Sequence, residues 1–570
     1  SHPAWSPDGK TLAFLSDALA MEAATAGQEP DSAGQLQLYL ATPGGAPRKV
    51  TDLKGHLADP KWSPDGKTIA LLFVANQTAP TGALAAYQRD AGVVGETPAE
   101  QQLITVDLST GAVKTVTPDD LFLYEYDWSP DGKHFVATAA HGSGENNWWV
   151  AQLVTVDAAG GPVRTLLAPR YQVAEPRWSP DGSTIAFIGG LMSDFGLTGG
   201  DVYTIPAAGG AAKDVTPGIA SSPSWIAWTG AGRIAFSEVV DGEAGISSLD
   251  VASGRVTSLW RAPVRLELAL SKDGRTAAGI VQSFAKAEEV WAGPVAAMTQ
   301  VTHRHAALAA PWGETKSLHW QSDGQTVQGW LHAPTAQSHP PDSAGAKHPM
   351  IVIVHGGPAG ASGPSWSSLA GVLTSQGYYV FFPNPRGSYG QGEAFTQGNV
   401  KDFGYGDLRD ILSGVEAAVR EAPIDTKRVG LFGWSYGGYM AMWTVTQTDR
   451  FRAVVAGAGI VNWQSYYGQN RIDQWMIPYF GASVYDDPWI YARSSPISFI
   501  KNVKTPTLVL QGERDSEVPA PQAYEFWHAL KTLGVETQLV IYPDQGHHLR
   551  PADDRDRAHR LLGWFGNYLK

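Results

Sequence analysis

Arg428-Val429-Gly430-Leu431-Phe432-Gly433-Trp434-Ser435-Tyr436-Gly437-Gly438-Tyr439-Met440 decides how the second half of this chain folds. The apolar run up to Phe432 reads as a buried strand, and Tyr439-Met440-Ala441-Met442-Trp443 reads as helix. Between them, Gly433-Trp434-Ser435-Tyr436-Gly437 has the G-x-S-x-G pattern of a nucleophile elbow. The turn is too tight for β-carbons on either side of the serine, so glycines flank it. Ser435 is thereby placed in a strained turn with its hydroxyl exposed.

Outward from the elbow, strands and helices alternate, the pattern of a mostly parallel sheet covered on both faces. Strands are expected at 350–354, 378–382, 428–432, 453–456, 507–510 and 538–542. Helices are expected at 366–375, 408–420, 439–447, 522–533 and 554–569. Residues 322–331 read as an opening hairpin, and the Pro/Ala/Ser/His-rich stretch 334–349 as a loop. This is an α/β-hydrolase domain over 313–570.

Residues 1–312 follow another grammar. Trp5-Ser6-Pro7-Asp8-Gly9 returns at Trp62, Trp128 and Trp178, with weaker echoes at Trp228 and Leu270. The interval of about 50 residues is that of a propeller or solenoid unit. Pro-Asp-Gly is a turn, with proline fixing φ and glycine taking positive φ. Alternating apolar strands follow it, such as Thr68-Ile69-Ala70-Leu71-Leu72. Each unit holds four strands, the content of a propeller blade, and the tryptophan is expected to pack between blades. Six units are visible and the chain opens inside the first, so an all-β propeller of six or seven four-stranded blades is expected.

A chain of 570 residues exceeds what one core serves, in keeping with two domains. Its net charge of −13 argues against nucleic acid or anionic membrane as partner. No apolar run reaches bilayer length. The absence of cysteine excludes disulfides, thiolate catalysis and cysteine-ligated zinc. It also fits a periplasmic or secreted location, with the cytoplasm as the alternative.

A serine hydroxyl needs a base, and the base needs an acid to hold its tautomer. The order Ser, Asp/Glu, His on loops after successive strands supplies both. Asp515 follows the strand at 507–510, and His547 lies between the last strand and the final helix. Glu513 and Glu517 compete with Asp515, and His548 with His547. The oxyanion donors are expected to be the backbone N–H of Tyr436 and that of Gly357 in His355-Gly356-Gly357-Pro358.

With Asn384-Pro385-Arg386-Gly387-Ser388, Gly512…Asp515…Val518-Pro519 and Gly546-His547, these motifs resemble the prolyl oligopeptidase family of serine peptidases. The wording is nearest to its acylaminoacyl-peptidase and dipeptidyl-peptidase-like branch. The resemblance implies a propeller followed by a hydrolase domain, short peptide substrates, and a propeller that gates access. It also implies a substrate pocket near Trp463, Tyr466 and Tyr467, with packing at the domain interface as the alternative for these aromatics. Arg386 is left between binding a substrate carbonyl and bracing its own loop. Dipeptidyl peptidases of the family anchor a free amine with paired propeller glutamates. The candidates here are Glu288-Glu289, read as an exposed edge, and Glu145.

The expectation is therefore a serine peptidase with an acyl-enzyme intermediate, needing no cofactor and no metal. An esterase or a specialised isopeptidase would share the machinery. A non-catalytic propeller binding protein is the rival of another class. A homo-oligomer is left open.

Overall fold

The computed structural model describes residues 3–17, 35–77, 84, 86–87, 100–142, 144–336, 338 and 346–570. Six four-stranded antiparallel sheets occupy the first part, each formed by consecutive strands. They run from Ala4–Trp5 in the first blade to Thr299–Gln300 in the sixth. The described residues thus form six blades, the lower of the two expected numbers.

The repeated motif builds the turns, and at Trp62, Trp128 and Trp228 it also joins the neighbouring blade. In the second blade Ser63 Oγ donates to Asp65 Oδ1 at 2.7 Å and accepts from Thr68 N–H at 3.0 Å. Gly66 takes φ +71°, the left-handed conformation that glycine adopts without a side-chain clash. The Trp62 indole donates to the carbonyl of Ala4, and that of Trp128 to Lys61. Trp228 donates to Arg177 in the same way. In each case the acceptor precedes the motif position of the blade before, so the tryptophan is an inter-blade tie.

The second part is one eight-stranded sheet. Its order is Thr315–Ser322, Gln325–His332, Tyr379–Asn384, His348–Val354, Ile424–Trp434, Ala453–Gly457, Thr507–Gly512 and Thr537–Tyr542. The first hairpin pairs antiparallel and the other strands run parallel. Every expected strand and helix is present. The strand into the elbow begins earlier than its apolar core, at Ile424, because Ile424 already pairs with His348 at the start of the neighbouring strand. Half of the loop expected at 334–349 lies outside the described residues, and its last two positions belong to strand His348–Val354. Buried Val352, Val354, Leu431 and Val454 join the elbow helix in the main core. Ile351, Phe432 and Val455 face a second core under the final helix. Successive strand residues point to opposite faces, so one apolar run serves both layers.

Candidate active site

Strand Ile424–Trp434 ends at Ser435, which has φ 62° and ψ −125°, and helix Tyr436–Gln447 begins at the next residue. Positive φ at a non-glycine residue is uncommon and here marks a strained turn. It persists because its surroundings fix it. Ser435 N–H donates to Gly457 O at 3.0 Å, and Ser435 O accepts from Tyr439 N–H at 2.9 Å. A β-carbon on Gly433 would collide with the carbonyl of Gly437, and one on Gly437 with that of Val354.

The acid and the imidazole come from the next loops along the same sheet edge. Asp515 follows strand Thr507–Gly512 and is 1% exposed. Its Oδ1 accepts the backbone N–H groups of Glu517 and Val518, each at 2.9 Å. Its Oδ2 lies 2.7 Å from His547 Nδ1. This fixes Nδ1 as the protonated nitrogen and leaves Nε2 as the basic one. The His547 loop is tied to the elbow, since the Trp434 indole donates to His547 O at 3.1 Å. His548 is exposed. Of the competing residues, His547 and Asp515 are therefore the pair that meets.

The glycine loop lies against the serine. A β-carbon on Gly356 would lie 3.5 Å from Ser435 Cβ and 3.9 Å from its Oγ. His355 braces this loop through Nδ1 to Gly356 O at 2.7 Å and Nε2 to Ser388 Oγ at 2.9 Å. Gly357 has φ +124°. The Tyr436 side chain is anchored by its hydroxyl, which donates to buried Asp407. Burial pushes the Asp407 carboxyl up to about 7.

Glu517 lies on the other side of the imidazole, with Oε1 3.6 Å from His547 Nε2. It is a neighbour of the basic nitrogen rather than the orienting acid. Asp194, from the fourth blade, meets Glu517. Burial holds the Glu517 carboxyl up at about 8, with the charges of Asp194 and Asp515 adding to the effect. Burial also raises Asp194. Burial opposes protonation of His547, but the Asp515 and Glu517 carboxylates outweigh it and push the imidazole up to about 9.

Removing the Glu517 charge should therefore lower the imidazole pKa, and Glu517→Gln should move the acidic limb of kcat/KM to lower pH. A pH–rate profile measures this, and an unmoved limb contradicts it. The stability linkage has the opposite sense. A raised imidazole value contributes stability in full below the ordinary histidine range, and that contribution is lost as pH rises through about 9.

The pocket residues separate. Trp463 is fully buried among Phe403, Tyr439, Trp475 and Phe480. Tyr467 packs on Tyr485 and Tyr491. Tyr466 alone lies within the field of Glu517, Asp515 and Asp194, although burial is the main cause that raises its phenol. Arg386 braces its loop, donating to Asp410 at 2.7 and 2.9 Å and to Asp323 at 3.0 Å.

Glu289 corrects an expectation. It is 6% exposed, not an open edge, because Thr302 Oγ1 and the His305 N–H are bonded to its carboxylate. The side chain of Glu145 lies outside the described residues. Asp194, Ser193, Asp407 and Glu517 as a base neighbour are additions from the structure. Only Glu517 carried a sequence signal, its position two residues after the acid.

The model of the prolyl oligopeptidase family matches residues 364–570. The peptidase YuxL of Bacillus subtilis is 32% identical over 624 aligned residues, spanning 100% of this chain and 90% of the relative. The chain belongs to the prolyl oligopeptidase family. It is a serine peptidase of that family, with a propeller and an α/β-hydrolase domain. The acylamino-acid-releasing enzyme of Arabidopsis thaliana is 34% identical, but over 39% of this chain and 30% of that enzyme. The acylaminoacyl peptidase of Pyrococcus horikoshii has the same fold, with a TM-score of 0.79 and 22% identity. That match covers 100% of this chain and 88% of the solved one.

Proposed function

We propose that this family member hydrolyses short peptides through an acyl-enzyme formed on Ser435. His547 Nε2 takes the hydroxyl proton as Oγ attacks the scissile carbonyl, and then delivers it to the leaving amine. Water enters by the reverse of these steps and releases the acyl group. Asp515 holds the imidazole tautomer and stabilises the imidazolium, while the Tyr436 and Gly357 N–H groups receive the oxyanion. The observation that carries this reading is the 2.7 Å contact of His547 Nδ1 with Asp515, on the sheet edge where the elbow stands.

Access is the propeller's part. Ser193 and Asp194 of the fourth blade reach the glycine loop and Glu517, so the site lies between the domains. An enclosed site admits short flexible chains and rejects folded ones. Relatives are named as acylamino-acid-releasing enzymes and as dipeptidyl-peptidase 5. The Asp194 and Glu517 carboxyls favour the second kind of substrate. An α-ammonium between them would compensate their buried charge, whereas an acetylated end brings none. A panel of short peptides with free and acetylated ends, beside a folded protein, tests this by mass spectrometry. Free-ended peptides should turn over about tenfold faster or more, the scale of one charged hydrogen bond, and the folded protein should survive. Equal rates remove the role given to the two carboxyls, faster turnover of blocked peptides points to acylaminoacyl release, and cleavage of esters alone removes the peptidase reading.

A further inference from the structure

The glycine loop 355–360 combines a catalytic task with weak local constraint. It contains Gly356, Gly357 and Gly360, and glycine loses the most conformational freedom on ordering. Oxyanion donors act only when preorganised, so something must hold this loop. His355 holds its start. Its far side is held twice: Tyr389 N–H, of the same domain, donates to Ala359 O at 3.2 Å, and from the propeller Ser193 Oγ accepts Ala359 N–H at 3.0 Å.

Ser193 stands in the turn between strands Thr184–Gly190 and Asp201–Pro206 of the fourth blade. That turn is itself fixed. The carbonyl of Ser193 accepts the Trp149 indole at 3.2 Å, and Met192 N–H donates to Gln172 Oε1 at 2.9 Å. The Ser193 hydroxyl donates onward to Asp194 Oδ2 at 2.5 Å. Its proton is thus committed, and a lone pair faces Ala359. Both Ser193 and Ala359 are buried, at 3% and 0% exposure, so water cannot replace the bond.

The second blade makes an independent contact with the other two catalytic loops. Leu84 O accepts from His547 N–H at 3.2 Å, and Tyr87 N–H donates to Arg514 O at 3.0 Å. Arg514 also donates to the Tyr87 carbonyl. The glycine loop, the acid loop and the histidine loop are therefore each bonded to the propeller.

We propose that Ser193 is a positioning residue for the oxyanion loop, fixing Ala359 and through it the Gly357 donor two residues before. The inference rests on Gly357 N–H as an oxyanion donor. Without Ser193 the hydrolase domain keeps its nucleophile, and the loop keeps His355 and Tyr389 but loses the bond on the Ala359 N–H.

The test is Ser193→Ala in the full chain, with active sites titrated by a fluorophosphonate and kcat expressed per titrated site. The expected result is a full complement of titratable Ser435, an unchanged KM within twofold, and a kcat lowered about 10- to 100-fold, somewhat below the loss for deleting a donor outright. The fluorophosphonate should react more slowly by a similar factor, because its P=O oxygen occupies the same site. A per-site kcat within twofold of wild type overturns the proposal. So does a loss accounted for wholly by fewer titratable sites, the signature of a merely structural serine. If wild-type Ser435 does not label at all, the nucleophile reading itself fails and the inference falls with it.

Discussion

Ser435→Ala should lower kcat by about 10⁶-fold, the scale on which a serine hydrolase loses its nucleophile. The variant should still fold. Alanine tolerates the φ of 62° about as well as serine does, and the backbone bonds to Gly457 and Tyr439 remain. Peptide binding should survive with similar affinity, since the glycine loop and the carboxyls beside the imidazole are untouched. Turnover on a short peptide and calorimetric binding of the same peptide check the two halves of this expectation. A variant retaining more than a thousandth of wild-type turnover would place the nucleophile elsewhere.

The second large effect concerns the acid. Asp515→Asn should lower kcat by about 10⁴-fold while leaving the architecture intact. Asp515 Oδ1 accepts two backbone N–H groups and Oδ2 meets His547 Nδ1. An asparagine keeps its oxygen on the backbone donors and turns its NH₂ toward Nδ1. The imidazole must then carry its proton on Nε2, where it can no longer accept from Ser435. Activity at saturating peptide measures the loss, and melting curves confirm the fold. A loss below tenfold would mean that Asp515 is not the group that sets the imidazole tautomer.

These two residues and His547 were legible because each rule that locates them is local. The elbow is a steric demand that only glycines meet, and the acid and base follow strands whose apolar runs are continuous. The blades were legible for the same reason, since Pro-Asp-Gly fixes a turn without reference to distant residues. Where a residue's role depends on the partner it meets in space, the sequence was silent. Ser193 and Ala359 are 166 residues apart in the chain, and nothing in either neighbourhood announces their bond. Glu289 was misread because an alternating Glu-Val-Trp pattern predicts an open edge. The later turn carrying Thr302 and His305 folds back and covers its carboxylate. Trp463 and Tyr466 read alike as aromatic pocket residues. Both are buried in the main core and pack on each other, and only the fold shows that Tyr466 also lies in the field of Glu517, Asp515 and Asp194.

The physical idea running through the site is that one imidazole serves between two carboxyls with different tasks. Asp515 sets the tautomer at Nδ1, and Glu517 adds charge near Nε2. The propeller reaches this site through Asp194, beside Glu517, and through Ser193, bonded to Ala359.

The most direct measurement is mass spectrometry of the native chain after treatment with a fluorophosphonate, followed by peptide mapping of the adduct. A single adduct on Ser435, prevented by a good peptide substrate, is the predicted result. A folded protein that gains no adduct, or gains it on another residue, contradicts the account.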